Sequence, residues 1–183
     1  MTAEGTVRDL PIALCGFMGV GKSVIGRALA KELKREYFDS DTEVTKRLGR
    51  QIPELFASGD EPLFRRTESE VIEELVARRP VGVISLGGGA LENASTQAVL
   101  LDRALLVHID QSWEDLWPAL AHLRVARPLL TDRDDEQVHE LFLARQQNYA
   151  RAHVRVQTNR QGVRLAMRKV LQAIDEYSMG RTD

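Results

Sequence analysis

Eight consecutive residues, Gly16-Phe17-Met18-Gly19-Val20-Gly21-Lys22-Ser23, carry the most explicit chemistry in the chain. They satisfy the order G-x-x-x-x-G-K-[ST] at every fixed position. A polyphosphate brings several negative charges that must be held without a large desolvation cost. A chain curled around it offers backbone N–H groups, and glycine permits both the curl and the close approach. A helix opening directly after the loop turns its positive pole on the same anion. Lys22 would place its ammonium at the outer phosphates, and the Ser23 hydroxyl would ligate a divalent cation. A purely structural glycine turn is the plain alternative. The flanking pattern weighs against it, because an apolar run precedes the loop and an amphipathic stretch follows it.

A second set of residues supplies what phosphoryl transfer to an alcohol would need. The hydroxyl must be brought in line with the terminal phosphate, and a nearby carboxylate can orient it and accept its proton. Asp39 and Asp41 stand at the expected end of a second strand, in the run Asp39-Ser40-Asp41. If extended, residues i and i+2 point the same way, so both acids would face one crevice. A solvated turn or a helix cap is the competing reading for such a pair. Gly87-Gly88-Gly89 ends a further apolar run, where bare backbone leaves room for a ligand outside the carboxyl end of a strand.

The elements that must position these groups alternate along the chain. Apolar strands are expected over 10–15, at Tyr37-Phe38, and over 81–86, 104–109 and 153–157. Helical periodicity is expected over 22–34, 41–48, 52–57, 62–77, 93–101, 113–123, 136–149 and 163–177. Continuously apolar strands separated by helices predict an α/β fold with a central parallel sheet of about five strands, covered by helices on both faces. No repeat, low-complexity block or linker divides the 183 residues, so one domain spanning 1–183 is expected. The charged segment 124–135 reads as a segment that closes over the site, a reading in which water is shut out of a transfer that would otherwise compete with hydrolysis.

Composition narrows the classes further. A net charge of −2 gives no general pull toward nucleic acid or membrane, so any cations used on anions must be placed locally. The single cysteine, Cys15, excludes an internal disulfide and reads as a small buried thiol, in keeping with a reducing cytoplasm. The first nine residues lack the apolar core of a signal peptide, and no stretch approaches the roughly 18 apolar residues of a membrane span. His108, His122, His139 and His153 show no metal-ligand spacing and read as structural or exposed.

Taken in order, the motifs resemble the shikimate kinase family. The family pattern runs G-x-M-G-x-G-K-S, D-[ST]-D, F-R-x-x-E, a G-G-G strand end, R-P-L-L and an R-x-x-x-Y helix. Here it reads Gly16 to Ser23, Asp39-Ser40-Asp41, Phe64-Arg65-Arg66-Thr67-Glu68, Gly87 to Gly89, Arg127-Pro128-Leu129-Leu130, and Arg145 with Tyr149. The resemblance covers about 12–172 and implies a three-layer P-loop kinase fold with a substrate-binding helical region over about 39–70 and a mobile lid over about 120–136. It implies transfer of the ATP γ-phosphoryl to the 3-hydroxyl of shikimate, with Mg²⁺, in the biosynthesis of aromatic amino acids. It further implies a cytoplasmic monomer whose partners are these small molecules. Gly19, Val20, Gly21, Lys22, Ser23, Val24, Arg127 and Gln161 would contact ATP, with Lys22, Asp41 and Arg127 catalytic. Asp41, Arg65, Gly88, Gly89 and Arg145 would hold shikimate. Ser23, and Asp39 through water, would serve the metal. Guanidinium forks suit a planar carboxylate on independent chemical grounds.

The chain departs from the pattern in two places. Many relatives carry an arginine near Leu120 that faces the nucleotide; here the stretch 113–123 is apolar, and Arg124 is the available substitute. The loop Thr158-Asn159-Arg160-Gln161, which resembles the adenine-flanking loop, is about one residue short. Alternatives are a kinase for a related hydroxylated acid or cyclitol, such as aminoshikimate or gluconate, or a catalytically silent metabolite-binding domain. Arg66, Arg78 and Arg79 read as surface residues.

Overall fold

A computed structural model describes residues 9–123, 133–159 and 162–180. Strand β1 (Ile12–Cys15) is buried along its whole length, as are β3 (Val83–Ser85) and β4 (Leu105–Asp110). Strand β2 (Tyr37–Asp39) is half-buried, and β5 (Val154–Gln157) alternates buried and exposed residues as an edge strand does. All pairings are parallel, in the order β2-β3-β1-β4-β5. The apolar runs therefore lie where continuous burial demands them.

Among the described residues eight α-helices flank the sheet: α1 (Lys22–Leu33), α2 (Ser40–Leu48), α3 (Ile52–Ala57), α4 (Glu61–Ala77), α5 (Ala94–Arg103), α6 (Trp113–Leu123), α7 (Asp135–Tyr149) and α8 (Val163–Met179). Parallel crossovers are right-handed. The chain runs from β1 toward one edge and then steps back across to β3, β4 and β5. Connections travelling in opposite directions lie on opposite faces of the sheet, which accounts for three layers. Helix α8 returns to pack on α1, while α4 packs on α5.

Local signals set the helix ends. Helix α4 begins with Pro62 in its first turn and buries Phe64, Glu68, Val71, Ile72 and Leu75 at three- and four-residue spacing. Asp134 caps α7 through Gln137 N–H at 2.8 Å, and the Gln137 side chain accepts in return from Asp134 N–H at 3.0 Å. The registers align the working ends of three strands: Leu14 pairs with Ser85, and Ser85 with Asp39. The glycine-rich loop after β1, the acids after β2 and the glycines after β3 thus leave the sheet at one edge. Cys15 is buried and unpaired, and burial pushes its thiol up to about 12, which leaves it inert.

Candidate active site

The phosphate-binding loop is shaped by close packing at one end and by a glycine helix cap at the other. A Cβ on Gly16 would overlap the Ile109 carbonyl oxygen, so only glycine lets the chain turn off β1 against β4. Gly21 caps α1 at φ 91°, a left-handed conformation, and makes no side-chain capping hydrogen bond to the helix. Val20 is buried and anchors the loop, so it offers a ligand only its main chain, whereas Val24 is exposed. The Lys22 ammonium lies along the loop, donating to the carbonyls of Gly16 at 2.7 Å and Phe17 at 3.0 Å. Ser23 Oγ donates to Asp39 Oδ2 at 2.9 Å, and Tyr37 Oη donates to the same oxygen at 3.2 Å.

Asp39 and Asp41 converge on the cavity, though not as neighbours on one extended strand. Strand β2 stops at Asp39, whose Oδ1 accepts the Thr42 N–H at 3.3 Å and caps α2. Asp41 sits in the first turn of that helix. Capping and site-facing roles therefore coexist, the first carried by one oxygen of Asp39 and the second by the other. The buried Ser40 hydroxyl accepts the Gly87 N–H at 2.9 Å, which ties the acids to the glycine strip after β3.

That strip is packed between opposing charges. A Cβ on Gly87 would overlap Asp41 Oδ1 and stand 2.7 Å from Glu68 Oε1. A Cβ on Gly89 would stand 2.8 Å from Arg65 Nη1 and 3.2 Å from Arg145 Nη2, so the two guanidinium groups meet over this residue. Arg65 donates to Glu68 Oε2 at 2.9 Å and to Glu61 at 3.3 Å, and rests on the Phe64 ring at 5.2 Å. Arg145 is only 3% exposed and donates through Nε to Glu92 at 2.6 Å. Its Nη1 is buried and has no hydrogen-bond partner among the described residues, and it lies 3.4 Å from where a Gly88 Cβ would be. A buried, unpartnered guanidinium nitrogen beside a cavity is a donor waiting for an anion. Tyr149 Oη donates to the Gly88 carbonyl at 2.6 Å and fixes the strip from below, with burial raising its hydroxyl.

These parts share one cavity of about 700 Å³, lined at one end by Lys22, Ser23 and Asp39 and at the other by Arg65, Gly89 and Arg145, with Asp41 lining it as well. Ile52, Pro53 and Phe56 of α3 form a further wall. Ser23 and Asp39 offer a hydroxyl and a carboxylate, hard oxygen donors that fit Mg²⁺, which takes one or two protein ligands and keeps most of its waters.

The structure brings Gly19, Gly21, Lys22, Ser23, Val24, Asp39, Asp41, Arg65, Gly88, Gly89 and Arg145 together around this cavity. Arg127, Gln161 and the substitute Arg124 lie outside the described residues. Leu120, at the place where many relatives carry a nucleotide-facing arginine, is 1% exposed and belongs to the core. His108 is buried against Tyr149, and burial pushes its imidazole down to about 4, which keeps it neutral. His153 Nδ1 accepts the Leu106 N–H at 3.0 Å, so both act structurally.

Sequence reasoning missed the residues that hold the arginines. Glu68 was visible only as the last letter of F-R-x-x-E, one helical turn after Arg65, and Glu92 carried no signal at all. Burial pushes the Glu68 carboxyl up to about 7, with Arg65 pulling it down and Asp41 pushing it further up.

Comparison with known proteins bears on this geometry. The family model described as shikimate kinase matches residues 18–175. The shikimate kinase of Geobacillus kaustophilus is 37% identical over 177 residues, covering 95% of this chain and 94% of that enzyme. Among solved structures, shikimate kinase from Acinetobacter baumannii in complex with shikimate superposes with a TM-score of 0.83 at 33% identity, over 91% of this chain and 93% of that one. Shikimate kinase from Aquifex aeolicus gives 0.79 at 31% identity, over 93% of this chain and 99% of the other.

Proposed function

The chain belongs to the shikimate kinase family, and from that premise we propose that it transfers the γ-phosphoryl group of ATP to the 3-hydroxyl of shikimate, a step of aromatic amino-acid biosynthesis. The observation that carries the reading is the meeting, in one cavity, of a phosphate cradle, a facing carboxylate and two converging guanidinium groups.

Each group has one task in this reading. The loop from Gly19 to Ser23 and the glycine-capped start of α1 hold the phosphates. Lys22 gives up its loop carbonyls to neutralise charge on the transferring group. Arg65 and Arg145 take the acceptor's carboxylate as forks, and Gly88 and Gly89 leave the ring room against main chain. With its carboxylate fixed at one end, the rigid ring presents its hydroxyl to Asp41, which orients it and accepts its proton. Ser23, and Asp39 through water, would hold Mg²⁺, which when bound neutralises charge on the outer phosphates. Arg127 at the phosphates, Gln161 at the adenine and a lid over about 120–136 complete the proposal on sequence grounds. The segment 39–70 serves as the acceptor-binding region of a single domain.

No helix among the described residues is long and apolar enough to cross a membrane. A cytoplasmic monomer acting on small molecules, without nucleic acid or membrane partners, belongs to the same proposal. The buried free thiol of Cys15 supports the reducing compartment.

The test is an ADP-release assay with ATP and Mg²⁺ over shikimate, quinate, aminoshikimate and gluconate. The expected result is a kcat/KM for shikimate well above the others. A preference for gluconate would overturn the ring assignment, and no turnover with any acceptor would point to a silent binding domain.

A further inference from the structure

Glu68 is the most deeply enclosed acid at the acceptor end of the cavity. Its side chain is 4% exposed, against 51% for Glu61 and 42% for Glu92. One oxygen, Oε2, accepts from Arg65 at 2.9 Å. The other, Oε1, is buried with no hydrogen-bond partner among the described residues and reaches the same point above Gly87 as Asp41 Oδ1. An unpaired carboxylate oxygen facing a second carboxyl is an arrangement that two full negative charges do not hold at low cost.

The charged groups around it come from every neighbouring element. Helix α4 contributes Arg65 and Glu61, α2 contributes Asp41, the 3-10 turn Ala90–Glu92 contributes Glu92, and α7 contributes Arg145. Two cations therefore face four acids, and both cations are already paired, Arg65 with Glu68 and Glu61, Arg145 with Glu92. An acceptor carboxylate adds a further negative charge. Glu61 and Glu92 are open to solvent, which screens them; Glu68 is not.

We propose that Glu68 is a positioning residue that carries a proton when the acceptor is bound, so that acceptor binding takes up one proton from solvent. Protonated, its Oε1 side donates a hydrogen bond across Gly87 instead of repelling Asp41. Arg65 is at the same time released from full neutralisation and presents its charge to the incoming carboxylate. The proposal rests on the assignment of Arg65 and Arg145 to that carboxylate.

The direction of the linkage follows. Burial already pushes Glu68 up to about 7 in the free protein, and a bound anion nearby raises it further. Below that range Glu68 is protonated with or without ligand, and affinity is flat. Through and above it, ligand binding and protonation favour each other, and the acceptor Kd rises with pH by up to about tenfold per unit. The acceptor's own carboxylate is ionised throughout.

Calorimetric titration with shikimate between pH 5.5 and 8.5, in paired buffers of different ionisation enthalpy, measures both quantities. The wild-type protein is expected to lose about tenfold in affinity from pH 6.5 to 8.5 and to take up, averaged over that window, about half a proton, most of it above pH 7. Glu68→Gln, which retains an acceptor for Arg65 but cannot ionise, is expected to show neither and to match or exceed wild type at pH 8.5. A pH-independent wild-type Kd without proton uptake would overturn the proposal, even if the variant does not fold. A sloping profile retained in Glu68→Gln would overturn it equally. Arg65→Ala separates the premise: an unchanged shikimate Kd at pH 6 overturns the carboxylate assignment itself, whereas a flat wild-type profile beside a large Arg65→Ala effect overturns only the role of Glu68.

Discussion

Replacing Gly89 by alanine adds a single methyl group at the point where the two guanidinium groups meet, and its consequence can be worked from the geometry. The new Cβ would stand 2.8 and 3.0 Å from Arg65 Nη1 and Nη2, and 3.2 Å from Arg145 Nη2. A lone flexible arginine tip would swing aside at little cost. Neither of these is free to do so. Arg65 is held by Glu68 and Glu61 and lies on the Phe64 ring, and Arg145 is buried with its Nε on Glu92. The backbone itself accepts alanine, because Gly89 adopts φ −103° and ψ 2°, a region open to L-residues. The substitution therefore acts on the site rather than on the fold.

Displacing one guanidinium from an anion removes a charge-assisted hydrogen bond of about 1.5–3 kcal/mol. At 1.4 kcal/mol per factor of ten, that corresponds to a rise in shikimate KM of about 10- to 150-fold. The loss is one of binding, made in ground and transition state alike, so kcat should fall far less than KM rises. Initial rates of ADP release at saturating ATP and varied shikimate give both constants, and the melting temperature checks that the fold persists. A folded Gly89→Ala protein with shikimate KM within twofold of wild type would refute the placement of the carboxylate between Arg65 and Arg145.

Two further substitutions probe the other end of the cavity. Lys22→Ala removes the ammonium beside the loop carbonyls of Gly16 and Phe17 and should lower kcat by about 10²- to 10³-fold, the scale for losing one preorganised charge donor, with the melting temperature little changed. A near-normal rate in steady-state assays would remove the phosphate assignment. Asp41→Asn keeps the shape of the first turn of α2 while abolishing proton acceptance, and should lower kcat by about 10²- to 10⁴-fold with ATP binding, followed by calorimetry, retained. Wild-type turnover in that variant would exclude Asp41 as the base.

The fold was legible because its three central strands are buried on both faces. The runs 12–15 and 105–107 are apolar throughout, and a parallel sheet covered on both faces hides them. The phosphate loop was legible because its chemistry resides in the main chain, so the residues that permit it are restricted to glycine, lysine and a hydroxyl. The route by which Asp41 reaches the cavity was not, since it depends on β2 ending at Asp39, a boundary set by tertiary pairing with β3. Glu68 and Glu92 were hidden for a different reason. A glutamate one turn from an arginine on a helix reads as a solvated pair, and only the folded chain reveals that Glu68 is enclosed and that Glu92 reaches an arginine fifty-three residues away. Leu120 shows the converse: its position invites comparison with a ligand-facing arginine, while the apolar stripe of α6 turns it into the core.

The sheet order explains why donor and acceptor groups meet at all. The phosphate loop leaves β1, the glycine strip leaves β3 and the acids leave β2, and these three strands are neighbours ending in register at Leu14, Ser85 and Asp39. Strands lie about 4.8 Å apart, so the three exits span roughly 10 Å at the carboxyl edge of the sheet. That is the scale of a terminal phosphate together with a small ring. Were β2 at the β5 edge instead, Asp39 would lie too far from Ser23 for the 2.9 Å contact they make, and the shared oxygen pair proposed for the metal would not exist. The arginines face no such constraint, because long side chains from α4 and α7 can reach over the edge from either flank. Short acids from adjacent strands and long cations from distant helices are thus the division of labour that the topology imposes. The glycine strip lies between them because any side chain there would fill the space in which they converge.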